Sequence, residues 1–167
     1  MKQEPYILSD RIDSEFLFEA RVKLDPQPLE VGATPEGHRV IYVVTGGVFE
    51  GPKLTGKVLP GAAGGDWVRI RADGAFHLDV RFCLQTDDDA LLYLHWTGRF
   101  HCAPEDFEYA SDQAKPDDPE GASRYYFRSS PQFETSSEKY AWLNNIVCVS
   151  KSRTGEGGVI HRIHEIK

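Results

Sequence analysis

Residues 75–96 (AFHLDVRFCLQTDDDALLYLHW) carry four side chains suited to binding and moving protons: Asp79, Arg81, Tyr93 and His95. Asp79 can act as a base or orient its neighbour. Arg81 can hold a carboxylate or phenolate in its planar fork, and His95 exchanges protons near neutral pH. The ordinary alternatives are a solvated ion pair and a hydrogen-bonded structural histidine. A second group follows: Tyr125, Tyr126, Phe127 and Arg128, then Phe133, Glu134 and Thr135, then Tyr140, Trp142 and Asn144. Aromatics interleaved with Arg, Glu and Asn suit a pocket for an aromatic or oxygenated apolar ligand, while core packing is the better account of Trp142 taken alone. Read as one site, the candidate catalytic residues are Asp79, Arg81, Arg128, Glu134 and Tyr140. The candidate substrate-binding residues are Trp67, Tyr93, His95, Tyr126, Trp142 and Asn144. Arg81 or Arg128 would stabilise an anion, Asp79 or Glu134 would be the base, and Tyr140 or His95 the acid.

Other chemistries lack their motifs. No Cys or His pair has zinc-ligand spacing, and His161 and His164 fall on opposite faces of a strand, so no metal is expected. There is no G-x-G-x-x-G, no P-loop and no G-x-S-x-G, so no nucleotide cofactor and no nucleophile elbow are expected. The net charge of −7, with no basic stripe to offset the excess acid, argues against a nucleic-acid partner. No apolar run approaches the roughly 20 residues of a membrane span, and the N-terminus lacks a secretory core. Three cysteines without paired spacing (Cys83, Cys102, Cys148) fit reduced thiols and a cytoplasmic location.

The elements that must position these groups are strands. In residues 75–96, Phe76, Leu78, Val80, Phe82, Leu84, Leu92, Leu94 and Trp96 alternate with the polar set, which is the period of strands with two unlike faces. A three-residue loop, Ala72-Asp73-Gly74, places Val68 opposite Leu78 and Ile70 opposite Phe76, with Gly74 at the left-handed position of a bulged turn. The same logic makes Asp87-Asp88-Asp89 a three-residue loop. It sets Phe82 against Leu94, Leu84 against Leu92 and Arg81 against His95. Further strand patterns fall at residues 15–24, 38–44 (ending at Thr45-Gly46-Gly47), 53–59, 67–72, 125–128, 140–149 and 159–166. On a strand, Tyr140, Trp142 and Asn144 would share one face. Residues 105–115 offer one helical stretch, ended by Pro116. The expectation is a single domain over 1–167, an antiparallel sandwich or closed barrel, with an N-terminal arm at 1–14 and a lid-like or mobile loop at 102–122.

Five motifs in order then resemble a known family: GGVFEGPKLTGKVLPG (46–61), GDW (65–67), LDVRFCLQTDD (78–88), YYFRSSPQFET (125–135) and YAWLNNIVCV (140–149). The chain resembles the domain-of-unknown-function 3237 family, also called uncharacterised protein family 0311, over nearly its full length. Asp89 departs from the pattern, standing where the family turn usually carries Gly. The resemblance implies an all-β fold, a small closed antiparallel β-barrel of roughly eight to ten strands, with one irregular or short helical excursion near 103–121. Alternation alone favours a solvated polar face. Because Asp79 and Arg81 match the motif's own acidic and basic positions, the resemblance turns that face into a polar lumen, a pocket for one small ligand. The apolar face would then lie outside, covered by a partner subunit or the N-terminal arm.

Three functions follow from these residues. One is a cofactor-independent enzyme of lyase or isomerase type, moving protons on a small aromatic or carbonyl-bearing molecule. Another is a non-catalytic barrel that binds a small aromatic or apolar oxygenated ligand. An oligomeric scaffold, as a homo-oligomer, is the third.

Overall fold

In a computed structural model that describes residues 11–61 and 64–167, the chain is one antiparallel sheet closed on itself. Eleven strands form it: β1 (Ser14–Leu24), β2 (Leu29–Thr34), β3 (Gly37–Glu50), β4 (Thr55–Val58), β5 (Gly65–Ile70), β6 (Phe76–Thr86), β7 (Leu91–Cys102), β8 (Tyr125–Ser129), β9 (Gln132–Glu134), β10 (Cys148–Gly155) and β11 (Gly158–Ile166). Eight of them make the ring, in the order β1-β3-β5-β6-β7-β8-β10-β11 and back to β1. β2 adds to β3, β4 bridges β3 and β6, and β9 pairs with β7. Between β8 and β10 the ring closes through only two register pairs, Ser129 with Ser150 and Arg128 with Lys151.

Turn length determines the register of β5–β7, as the alternation requires. Ile70 pairs Phe76, Phe82 pairs Leu94, Leu84 pairs Leu92 and Arg81 pairs His95. Gly74 takes φ +79° and Asp89 takes φ +66°, so both loops use a left-handed residue.

The apolar face points inward, which corrects the expected polar lumen. Leu78, Val80, Phe82, Leu84, Leu92, Leu94 and Trp96 are all buried in the core with Phe18 and Phe49. Each such side chain gains about 1.5–3 kcal/mol on leaving water. An exposed ion pair of the opposite face gains about 0–1 kcal/mol, so the choice of face is one-sided. An eight-stranded ring is just wide enough for such side chains to fill it.

Three local readings are also corrected. β3 does not stop at Thr45-Gly46-Gly47 but runs on to Glu50. Gly47 sits where a Cβ would lie 2.1 Å from the Arg21 carbonyl oxygen, so glycine here permits the close approach of β1. Tyr140, Trp142 and Asn144 lie at and in a 3₁₀ turn, Ala141–Asn145, and not on a strand. A strand at Leu29–Thr34 has no counterpart in the sequence reading.

One end of the barrel is covered by residues 103–124, which form a 3₁₀ turn (Pro104–Asp106), a short helix α1 (Phe107–Ser111) and a second 3₁₀ turn (Gly121–Arg124). This segment is tied to the β10–β11 turn. The N–H groups of Glu156 and Gly157 donate to the carbonyls of Lys115 and Gln113, both at 2.7 Å. Arg153, 6% exposed, donates to Asp117 at 2.7 Å and to Glu19 at 3.3 Å. Of the expected N-terminal arm, residues 1–10 lie outside the described residues. No helix among the described residues is long and apolar enough to cross a membrane.

Candidate active site in the barrel lumen

The polar groups that reach the lumen differ from those singled out by alternation. β5 turns Val68 and Ile70 inward, so Asp66, two residues earlier, also faces in. Asp66 pairs directly with Tyr42 of β3, itself inward between Val40 and Val44. Two adjoining cavities use these residues. The one beneath residues 103–124, about 50 Å³, is lined by Tyr42, Asp66, Phe76, Phe100, Gln113 and Thr154 among others. The deeper one, about 30 Å³, lies between Asp66, Val80, Phe82, Trp96, Phe127 and His161.

Enclosure sets the chemistry of Asp66. Burial among apolar side chains pushes its carboxyl up to about 7, and the charge of Asp79 adds to the rise. The backbone N–H of Asp79, donating to Oδ1 at 3.0 Å, and the more distant Arg39 oppose it. Asp66 is therefore balanced between acid and base at neutral pH. Burial, followed by the charges of Asp66 and Glu30, raises the Tyr42 hydroxyl above its usual range, so it stays a proton donor.

Deeper in, Trp96 is 2% exposed and its Nε1–H has no hydrogen-bond partner, the one such buried side-chain atom among the described residues. Its ring meets that of His161 edge-on at 4.9 Å. His161 holds a chain of buried hydroxyls, with Ser152 Oγ 2.7 Å from its Nδ1, then Ser150 at 3.1 Å and Ser129 at 2.6 Å. Burial pulls His161 down to about 3, so the ring is neutral across the physiological range. Apolar walls, one titratable acid, a phenol and an unspent N–H can together bind an oxygen and pass a proton to or from it. No group of three His, Cys, Asp or Glu side chains among the described residues could hold a metal.

The residues expected from the sequence lie outside the barrel. Asp79 and Arg81 pair at 2.6 Å on the outer face of β6, with side chains 47% and 41% exposed. The Arg81 guanidinium lies 4.6 Å over the ring of Trp67, and Tyr93 stacks on His95 at 5.6 Å. Glu134 on β9 comes within 4.0 Å of His95. These six residues form one outer patch, while Tyr126 and Arg128 form another on β8 with Arg128 5.1 Å over the Tyr126 ring. Tyr140 is buried and donates to Asp88 at 2.9 Å, Trp142 lies under Lys53, and Asn144 clips both backbone groups of Thr135. The structure therefore divides the eleven among two outer patches and a structural turn, and brings none to the lumen. Asp66 had a signal in the sequence: a carboxylate in register with Val68 and Ile70 on an apolar face.

The fold and sequence both have relatives. A protein of Clostridium acetobutylicum in uncharacterised family UPF0311 is 33% identical over 141 residues, covering 82% of this chain and 85% of its own. A β-barrel-like protein of Acinetobacter baumannii with a crystal structure superposes with a TM-score of 0.79 at 37% identity, covering 96% of this chain and 99% of its own. A hydroalkoxylation enzyme of Penicillium herquei is 29% identical over 133 residues, covering 79% of this chain and 68% of its own. The family model described as "Protein of unknown function (DUF3237)" matches residues 13–166, and the chain belongs to that family.

Proposed function

We propose that this barrel is a cofactor-independent enzyme that moves protons on a small aromatic or oxygenated molecule, with its chemistry in the lumen. The observation that carries the reading is Asp66, a half-buried lumenal carboxyl pushed up to about 7 and in register with Tyr42 at the mouth of an apolar cavity. Such a group can both give and accept a proton within one turnover. The cavities admit only the end of a molecule, so a hydroxyl or carbonyl would enter while the rest lies beneath residues 103–124.

Kinship with a hydroalkoxylation enzyme supports the same class of step. Adding an O–H across a C=C needs a proton delivered to carbon and another removed from oxygen. Protonated Asp66 would supply the first as the oxygen attacks. The carboxylate so formed would take up the second, directly or through Tyr42, and the site ends as it began. Trp96 Nε1–H would hold the reacting oxygen. Isomerisation and water elimination need the same parts.

The test is incubation with phenols that carry an alkene and with α,β-unsaturated carbonyls in deuterated water, read by mass spectrometry. Deuterated or cyclised product is expected, falling at least about a hundredfold in Asp66→Asn. Unchanged turnover in that variant overturns the role of Asp66. A ligand that binds, quenches Trp96 fluorescence and is recovered without deuterium supports the binding-barrel reading in its place.

A further inference from the structure

Cross-strand pairs on the outside of the barrel line up into one basic row. Arg39 faces Arg69, Arg69 faces His77, His77 faces Arg99, Arg99 faces Arg128, Arg128 faces Lys151, and Lys151 faces Arg162. The row crosses β3, β5, β6, β7, β8, β10 and β11, and reaches an acid only at Glu19 of β1. Like charges directly opposite each other destabilise a sheet. Here six cations, interrupted only by His77, follow one another across seven strands of a chain whose Asp and Glu outnumber its Lys and Arg, 26 to 19. Shortage of acid does not explain the row.

The flanks are partly neutralised, Arg69 by Glu36 and Arg162 by Glu19, each at 3.3 Å. The middle is not. Among the described residues Arg99, Arg128 and Lys151 form no ion pair. Arg99 and Arg128 each donate one N–H to a backbone carbonyl, of Gly98 and Phe127, at 2.8 Å. The rest of each five-donor fork stays available for an oxyanion. Their field is felt next door: burial, then the charges of Arg99 and Arg69, hold His77 below its usual range. Tyr126, stacked on His101 at 5.0 Å, carries the Arg128 guanidinium above its ring and holds it over a surface groove of about 520 Å³. That volume lies within the range of about 300–1,000 Å³ of small-molecule sites.

We propose that this groove binds a small phosphate-bearing molecule, with Arg99, Arg128 and Lys151 as its ligands. The three cations stand on adjacent strands, about 4.8 Å apart at the backbone, a spacing that suits the two ends of a diphosphate better than a single phosphate. The site is on the outer wall and separate from the lumenal chemistry. Its occupancy stands or falls independently of Asp66.

Calorimetric titration with inorganic pyrophosphate tests it. Saturable one-site binding is expected, tighter than orthophosphate by about tenfold and weaker at higher salt. Arg128→Ala and Arg99→Ala should each weaken it by at least about tenfold, and Arg71→Ala, on the β5–β6 turn beside Asp73, should not. Unchanged melting temperatures in these variants exclude misfolding as the cause. Absence of saturable binding, or equal binding in Arg128→Ala, overturns the proposal. So does binding confined to phosphatidylglycerol vesicles or long polyphosphate, which points to an extended polyanion.

Discussion

The backbone N–H of Asp79 donates to Oδ1 of Asp66 at 3.0 Å, so the lumenal carboxylate is held by the backbone of a residue whose own carboxylate faces the opposite side of the sheet wall. Asp79 points outward to Arg81 and stays in solvent's reach, while Asp66 is half-buried and lines the lumen. Their difference in chemistry comes from which side of the wall each occupies.

This makes stability depend on pH in a defined sense. Unfolded, Asp66 titrates near about 3.9; folded, it titrates at about 7, raised by burial. Between those values the native state holds a proton that the unfolded chain has released. The stabilisation is therefore complete below about pH 4, falls as pH rises and is gone above about pH 7. The full span is about 2–4 kcal/mol, reduced to the extent that Asp66 keeps some exposure. Asp66→Asn, still able to accept from Asp79, should be more stable than the parent at pH 8 and lack this slope. Urea unfolding at pH 5 and pH 8 measures it, and an identical slope in the variant would assign the effect elsewhere.

Trp96 separates packing from hydrogen bonding. Trp96→Ala should cost about 3–5 kcal/mol, since the ring packs against Phe82 and His161. Trp96→Phe keeps most of that contact and removes an unpaired N–H, so its stability should fall within about 1 kcal/mol of the parent. Denaturation curves give both values. If the N–H holds a substrate oxygen, Trp96→Phe should lose turnover while remaining folded.

The segment over the barrel end, residues 103–124, is held by charge. Asp117→Ala leaves Arg153 buried with Glu19 as its remaining close acid, at a cost of about 2–3 kcal/mol. The amides of Glu156 and Gly157, which bond to this segment, should exchange with solvent faster in the variant. Hydrogen exchange resolves this, and unchanged protection there would mean that Arg153 does not anchor the segment.

Asp89 takes a left-handed conformation that glycine adopts freely. Asp89→Gly should raise stability by about 0.5–1 kcal/mol, read as a higher urea midpoint with the same slope. Its exposed bond from Gln85, at 3.2 Å, is a small loss against this.

Register was legible in the sequence where two strands meet through a short turn. The alternation of Phe76 to Trp96 and the lengths of two loops suffice to pair Arg81 with His95 and Ile70 with Phe76. Which face points inward is also a local matter of buried area, and the motif's charged positions, Asp79 and Arg81, do not override it. Tyr140, Trp142 and Asn144 alternate over too few residues for period two to be told from a 3₁₀ turn. Apart from Asp66, the lumenal polar set has no local signature. Ser129, Ser150, Ser152 and His161 meet because β8, β10 and β11 are brought together by closure, which no window of sequence contains. The basic row is hidden for the same reason: its members are spaced irregularly along the chain and align only across strands.

The two-pair junction of β8 with β10 gives that row a mechanical meaning. Every other junction of the ring is laced by five or more register pairs or by a tight hairpin, so the cylinder behaves as a rolled sheet fastened by a narrow clasp. Arg128 and Lys151 are one of the two fastenings, and their mutual repulsion works to spring it. An anion seated between them would reverse that sign and latch the cylinder shut from outside, so ligand on the outer wall would stiffen the wall that encloses the lumen.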